Sequence, residues 1–297
     1  MLLNTKIPFS YIFSKIRAEL FYILGIVLVV YYITTRYKHL MPDVPLAIPT
    51  FLGTAISIIL SFKLNQSYDR WWEARKIWGT IVNESRNLVL QLHTFVAPGN
   101  ETLIRSIALR HIGWCYCLGQ SLRQQDALQG LGRFMSEEDV KKAETHMNKP
   151  LAIMQLNTLD IAALKNNGAM ELYSLVQVNN TITSLTNAMG MAERIKTTIF
   201  PITYRIFLHG AIYLFIITLS ISLTGLEGYF EMPLLVIIAS FFFLLERTAT
   251  HLQDPFNNKP TDTAVTAIAR TIEINIKQLL DETDVPDPIE PLRYYIK

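Results

Sequence analysis

The sequence predicts an all-α integral membrane protein, with four transmembrane helices per protomer and a helical domain outside the membrane. Half of the 297 residues are hydrophobic, and only 18% are charged. A soluble protein usually carries about a quarter charged residues. Long apolar stretches without any charge recur along the chain, and no segment shows the sustained period-two alternation typical of β-strands. These observations favour membrane helices together with a helical insert.

The predicted spans are the four apolar stretches that lack Asp, Glu, Lys and Arg. They are Leu20–Thr35, Val44–Phe62, Ile206–Leu226 and Met232–Leu245. A helix of about 20 residues crosses a hydrocarbon core of about 30 Å, which the second and third stretches match. Tyrosines and basic residues at the end of the first stretch extend it into the membrane–water interface. The fourth is only 14 residues long, but it follows the third through a tight linker, which favours an antiparallel hairpin.

The same pattern divides the chain into four regions. Residues 1–66 form an N-terminal arm with spans one and two, 67–200 a cytoplasmic helical domain, 201–250 spans three and four, and 251–297 a C-terminal cytoplasmic segment. Within 67–200, helices are predicted at Arg70–Phe95, Thr102–Arg123, after an N-cap at Ser136, at Leu159–Lys165 and at Ala169–Ile195. Basic residues flank the spans mainly on the side of this domain, so both termini are expected in the cytoplasm.

One face of the second span carries small hydroxyl side chains. At 100° per residue, this pore-facing stripe falls in a narrow arc, with two large apolar residues beside it. The stripe is Thr50, Thr54, Ser57 and Ser61, and its neighbours are Ile58 and Phe62. Such a face suits a water-filled passage, although small residues also line helix–helix contacts in membranes.

No pattern of catalytic or metal-binding residues emerges, so neither an enzyme nor a cofactor or metal is expected. The six histidines never recur at i, i+4 spacing, and Cys115 and Cys117 match no zinc motif and are expected to be buried thiols. A net charge of +2 gives no reason to expect a nucleic-acid partner. His209 lies inside the third predicted span, where ionisable groups tend to be functional, but an interfacial hydrogen-bonding role is favoured for it. Glu246 with Arg247 is expected to form a local ion pair or a packing contact between helices.

Three motifs in order resemble the bestrophin family, particularly its bacterial branch. The first leads from Ile48-Pro49-Thr50-Phe51-Leu52-Gly53 through Leu60-Ser61-Phe62 to Arg70-Trp71-Trp72-Glu73. The second comprises Glu193-Arg194-Ile195 and Ile199-Phe200-Pro201-Ile202-Thr203-Tyr204. The third comprises Leu252-Gln253-Asp254-Pro255-Phe256 and Ala269-Arg270-Thr271-Ile272-Glu273-Ile274-Asn275. The resemblance covers nearly the whole chain.

The resemblance implies a homopentameric ion channel in the bacterial inner membrane, in contact with lipid and with permeant monovalent ions. The second helix of each protomer would line a narrow hydrophobic neck formed by Thr54, Ile58 and Phe62. Thr54 stands where the family generally has a larger aliphatic residue. A second, cytoplasmic aperture would lie near Leu172, Tyr173 and Val176.

The resemblance also bears on gating and selectivity. Animal bestrophins carry an acidic calcium clasp after Asp254-Pro255-Phe256, whereas this chain continues Asn257-Asn258-Lys259-Pro260-Thr261-Asp262. Calcium takes six to eight oxygen ligands, so no calcium gating is expected here. Resemblance to the bacterial branch favours monovalent cations, with an anion-selective channel of the same architecture as the alternative. Asp43 and Glu227 are candidates for the outer mouth, where Arg36 and Lys38 also lie.

Two other functional classes remain open. A secondary transporter would usually show intramembrane charges, broken helices or an inverted repeat. A membrane scaffold that conducts no ions would need no hydroxyl-bearing face on one helix.

Overall fold

The structure, a computed structural model, describes the whole chain except residues 3–7, 38, 40–41, 224–227 and 297. Within the described part the regular elements are helices. They are α1 (Phe9–Arg36), α2 (Ala47–Phe95), α3 (Glu101–Leu122), a short 3₁₀ helix (Leu131–Arg133), α4 (Glu137–Glu144), α5 (Lys149–Asn166), α6 (Leu172–Thr197), α7 (Ile202–Ser222), α8 (Gly228–Leu252) and α9 (Val265–Leu279). The predicted all-helical fold is confirmed for these residues.

The chain divides into two compact units. The membrane unit comprises Thr5–Arg70 and Ile199–Gln253, and the insert unit comprises Met1–Asn4, Trp71–Thr198 and Asp254–Lys297. Among the described residues, four helices are long and apolar enough to cross a membrane, namely α1, α2, α7 and α8. This number agrees with the four predicted spans.

The membrane unit is held together by apolar packing between its helices. α1 packs against both α7 and α8, and α7 packs against α8. The first part of α2 contributes Ile56 and Leu60 to the same core, which also contains Ile23, Ile212 and Phe243. Burying a large aliphatic side chain in such a core contributes about 1.5–3 kcal/mol to stability.

A single helix, α2, runs for 49 residues from one unit into the other. Its start is favoured by Pro49, because a proline in the first turn gives up no intrahelical hydrogen bond. Its end is set by the sequence Pro98-Gly99, where Gly99 adopts a positive φ of 92°. The boundary predicted between residues 66 and 67 therefore lies inside a continuous helix.

The insert unit is built around α3, whose second half is almost completely buried. α5 and α9 pack against it, and α4 and α6 pack against α5. The predicted N-cap at Ser136 is confirmed, since its side chain accepts a hydrogen bond from the Asp139 N–H at 3.2 Å.

Some helix bounds differ from the prediction. α5 begins at Lys149 rather than at Leu159, because the Asn148 side chain caps it and Pro150 occupies its first turn. The fourth span extends well beyond its predicted 14 residues, since α8 continues through Glu246 and Arg247 to Leu252. α9 was not predicted as a helix.

Candidate functional site

Within the membrane unit, α2 has one buried and one exposed side. The buried side contains Ile56, Leu60 and Lys63. On the other side, 54% of Ile58 and 63% of Phe62 is exposed. The four hydroxyl residues of the predicted stripe are exposed as well, namely Thr50, Thr54, Ser57 and Ser61. The structure therefore places all the predicted neck and stripe residues on surface that this protomer leaves uncovered.

The hydroxyl groups of this stripe bond to their own helix. Thr50 donates to the Leu46 carbonyl at 2.7 Å, and Thr54 donates to the Thr50 carbonyl at 2.9 Å. Ser57 donates to the Gly53 carbonyl at 2.8 Å. Because these protons are engaged four residues back along the helix, each of the three oxygens presents mainly its remaining lone pairs to the surroundings.

The exposed faces of the neighbouring helices have a different chemistry. Along the middle of α1 the large exposed side chains are apolar or aromatic, including Phe21, Leu24 and Leu28. The exposed side of α8 carries Ile237 and Phe241. Such faces suit lipid tails. The exposed face of α2 combines hydroxyl groups with large apolar residues and is thus distinct from both.

Two adjacent charged residues of α8 pair with two different helices. Glu246 contacts Lys63 of α2 at 2.6 Å, and Arg247 forms an ion pair with Glu19 of α1. Of the two alternatives expected for Glu246 and Arg247, a local pair or a packing contact, the structure shows the packing contact between helices. Adjacent helical residues point about 100° apart, which explains why each reaches a different neighbour.

His209 belongs to the same cluster, with its Nε2 atom 3.3 Å from Oε2 of Glu246. Its ring also meets Phe243 edge-on at 5.3 Å between centroids. From the sequence, Lys63 is only one of the basic residues that flank the second span, and nothing in that pattern indicates its burial. The available signal was a single acidic residue, Glu246, at the matching end of the fourth span.

The residues predicted for the cytoplasmic aperture lie in the insert unit, in the first turns of α6. Leu172, Tyr173 and Val176 are exposed by 63%, 85% and 49%. These three side chains form an exposed apolar patch in the single protomer. Such patches commonly mark an interaction surface or the lining of a pore.

The candidates for the outer mouth are only partly described. Arg36, the last residue of α1, and Asp43 are exposed. Lys38 and Glu227 lie outside the described residues.

The loop that follows α8 has two acidic residues, and one oxygen of each lies near a nitrogen of a lysine residue, while Oδ1 of Asp262 is buried without a hydrogen-bond partner among the described residues. The Lys196 ammonium lies 3.6 Å from Oδ1 of Asp254, and Oδ2 of Asp262 accepts the Lys259 N–H at 3.0 Å. Burial raises the pKa of Asp262 to about 6. Among the described residues no three His, Cys, Asp or Glu side chains are grouped to hold a metal. Two carboxylates beside a lysine do not fit the six to eight oxygens that calcium requires.

A serine, a histidine and a cysteine meet in the core of the insert unit, in an arrangement that superficially resembles a catalytic site. Nε2 of His111 lies 2.8 Å from Oγ of Ser85 and 3.9 Å from Sγ of Cys115. All three are fully buried. Burial lowers the pKa of His111 to about 3 and raises that of Cys115 to about 12. A neutral thiol without access to solvent is not an activated nucleophile, so this cluster is structural. The predicted burial of both cysteines is confirmed.

Comparison with known proteins identifies the family. The family model described as "Bacterial/Fungal Bestrophin protein" matches residues 4–278. The chain is 29% identical to the "Voltage-dependent anion channel-forming protein YneE" of Escherichia coli O157:H7 over 96% of this chain and 93% of the relative. It is 30% identical to the protein of the same name from Salmonella typhi, over 83% of this chain and 80% of that relative.

Solved structures agree with this assignment. A bacterial bestrophin homologue from Klebsiella pneumoniae superposes with a TM-score of 0.83 at 28% identity, covering 90% of this chain and 99% of the other. Both the family and the names of the relatives point to a channel rather than an enzyme. With four apolar helices, an all-helical fold and a family match over most of its length, the chain belongs to the bacterial and fungal bestrophin family.

Proposed function

We propose that this protein is an ion channel of the bacterial inner membrane, formed by five copies of the chain around a central pore. In this proposal the α2 helices surround the pore, with Thr54, Ile58 and Phe62 forming its narrow neck. Leu172, Tyr173 and Val176 form a second aperture at the cytoplasmic exit. The insert unit and both termini lie in the cytoplasm, as the distribution of basic residues favours.

One observation carries the proposal. The uncovered face of α2 bears small hydroxyl side chains together with Ile58 and Phe62, whereas the large exposed side chains along the middle of α1 and on α8 are apolar or aromatic. A lipid-facing helix gains nothing from hydroxyl groups, but a helix facing water does. Residues 58 and 62 are one turn apart, so copies arranged about an axis would stack two apolar rings, as a hydrophobic constriction requires.

The channel is proposed to select anions. The relatives named above are described as anion channel-forming proteins, which fits the anion alternative better than the expected preference for cations. The neck residues carry no charge, and three of the four stripe hydroxyls present lone pairs rather than protons. An anion preference must therefore arise from charges outside the neck face.

Opening of the channel is proposed not to depend on calcium bound after α8. The support for this is the poor fit between calcium and Asp254 and Asp262, each of which already contacts a nitrogen atom of a lysine residue, the ammonium of Lys196 or the backbone N–H of Lys259. Gating would then be controlled elsewhere in the molecule.

Shortening the neck residues tests the proposal directly. We expect Phe62→Ala and Ile58→Ala to raise single-channel conductance several-fold in planar bilayers, because each removes a ring that narrows the passage. Phe241→Ala is the matched control, since Phe241 is a similarly exposed residue (60%) on the apolar face of α8. Its conductance should equal that of the wild type.

Native mass measurements in detergent accompany these recordings, because the proposal requires a pentamer for all three variants. A monomeric or dimeric protein would favour the scaffold or the transporter. Unchanged conductance in pentameric Phe62→Ala and Ile58→Ala would remove the neck assignment, and an equal rise in Phe241→Ala would point to a nonspecific loosening of the membrane unit.

A further inference from the structure

A buried charged cluster lies directly behind the proposed neck. Lys63 follows Phe62 in α2, and only 1% of its side chain is exposed. Its ammonium contacts Oε1 of Glu246 at 2.6 Å and the Thr250 hydroxyl at 3.0 Å. Thr250 in turn donates to the same Glu246 oxygen at 2.8 Å. The second Glu246 oxygen, Oε2, faces His209 at 3.3 Å.

Such a cluster is costly to maintain. Taking two charges out of water is seldom fully repaid by their attraction, and apolar residues of the same volume often give an equally stable or more stable fold. Ionisable residues within membrane spans commonly mark functional sites. The cluster also lies on three helices of the membrane unit, α2, α7 and α8, next to the residue proposed to narrow the pore.

The net charge of the cluster depends on His209. Lys63 and Glu246 cancel when the imidazole is neutral, and protonation of His209 leaves one positive charge. The other charged groups on the surrounding helices add little, since Glu19 of α1 is paired with Arg247 of α8, and Arg205 of α7 is exposed. The His209 side chain is itself 23% exposed in the single protomer.

We propose that Lys63, Glu246 and His209 form an electrostatic element that modulates the ion preference of the channel, and that protonation of His209 strengthens its preference for anions. The inference rests on the proposed function, because it needs an ion passing along the opposite side of α2. A positive charge in a low-dielectric surrounding acts over longer distances than it does in water. With several copies around one axis, each cluster adds to the potential in the neck.

The pH dependence of reversal potentials is the first test. Recordings of wild-type protein in bilayers under a potassium chloride gradient are compared at about pH 8 and about pH 5.5, either side of the ordinary imidazole pKa. We expect the ratio of chloride to potassium permeability to rise roughly threefold or more at the lower pH. In His209→Gln the ratio should not change with pH, whereas His93→Gln, an exposed histidine of the insert unit, should behave as wild type.

Charge substitutions at the other two residues give a readout that a merely structural role would not. At about pH 8, Glu246→Gln leaves Lys63 unneutralised and should raise the ratio, whereas Lys63→Met leaves Glu246 unneutralised and should lower it. A packing defect has no reason to shift the two variants in opposite directions. Because single removal can prevent folding, the double variant Lys63→Met/Glu246→Gln provides a neutral reference. It should keep the wild-type ratio at the higher pH.

The outcomes separate this inference from the proposed function. A conducting pentamer whose wild-type permeability ratio is the same at both pH values overturns the inference and leaves the channel intact. A pH shift that persists in His209→Gln, or a shift in the same direction for both single charge variants, also overturns it. A protein that forms no pentamer and passes no current overturns both.

Discussion

At the scale of single residues, burial decides which protonation states the fold accepts. His111 is fully buried, stacks on Trp114 at 5.2 Å and meets Ser85 through Nε2. Desolvation lowers its pKa from 6.5 to about 3. Asp262 shows the opposite case, because burial raises the pKa of a carboxyl group from 3.8 to about 6.

The two shifts give opposite dependences of stability on pH. For His111 the pKa is lower in the folded chain than in the unfolded one, so its contribution is complete above about pH 6.5 and is lost as the pH falls toward 3. For Asp262 the pKa is higher in the folded chain. Ionisation therefore destabilises the fold at neutral pH, and stability is regained as the pH falls through 6 toward 3.8.

We expect His111→Asn to reduce the loss of stability on acidification. At about pH 5, the wild type should lose about 2 kcal/mol through His111 relative to neutral pH, since each pKa unit corresponds to 1.36 kcal/mol. That is roughly 4 to 8 °C in Tm. The measurement is Tm at about pH 7 and about pH 5 for both proteins at one protein concentration. Comparing the two proteins cancels the opposing contribution of Asp262, and an equal fall in Tm for both would contradict the expectation.

At the scale of elements, close approach between α2 and α7 depends on a glycine. A Cβ atom added at Gly53 would lie 3.0 Å from Cε2 of Phe215. Phe215 is buried and packs edge-on against Phe242 at 5.4 Å, so its ring has little room to move. The other spanning-helix glycine of interest, Gly25 in α1, has no atom within 4 Å of an added Cβ.

Gly53→Leu should therefore destabilise the membrane unit, whereas Gly25→Leu should not. Overpacking a well-filled core costs about 1–3 kcal/mol of stability. Replacing a helical glycine stabilises either helix by up to about 1 kcal/mol. The measurement is Tm in detergent for the two variants and the wild type. Equal Tm values for the two variants would show that Phe215 can move aside.

The helices themselves were largely predictable, because hydrophobic length and turn residues act locally. The charge-free stretches located all four spans, and Pro98 with Gly99 located the end of α2. What the sequence could not supply was the partner of each polar residue. Lys63 and Glu246 are 183 positions apart, and nothing local distinguishes a lysine that snorkels to the headgroups from one paired within the helices.

The candidate site was predictable only as a helix face. The spacing of Thr50, Thr54, Ser57 and Ser61 defined that face, and the structure leaves all four exposed. Helix geometry did not indicate that three of these hydroxyls donate to their own backbone. That detail depends on side-chain rotamers, and it changes which ions the face can attract.

At the scale of the whole molecule, the proposed anion channel predicts which ion carries the current. We expect reversal potentials under a sodium chloride gradient to follow the chloride equilibrium potential, because the relatives are described as anion channel-forming proteins. The matched control replaces chloride by a large organic anion such as gluconate. Current should then fall sharply and the reversal potential should shift. Potentials that follow sodium would instead support the cation preference first expected from the sequence.

The ion pairs of α8 also have a consequence for how the protein is made. Glu19 and Lys63 leave the ribosome long before their partners, which follow 228 and 183 residues later. At about 5–20 residues per second, Lys63 waits on the order of 10 to 40 s without Glu246. During that interval the unpaired Lys63 ammonium lies in the headgroup region of the bilayer or is solvated by water within the insertion machinery. The second helix can therefore neutralise its buried lysine only after α8 has been translated.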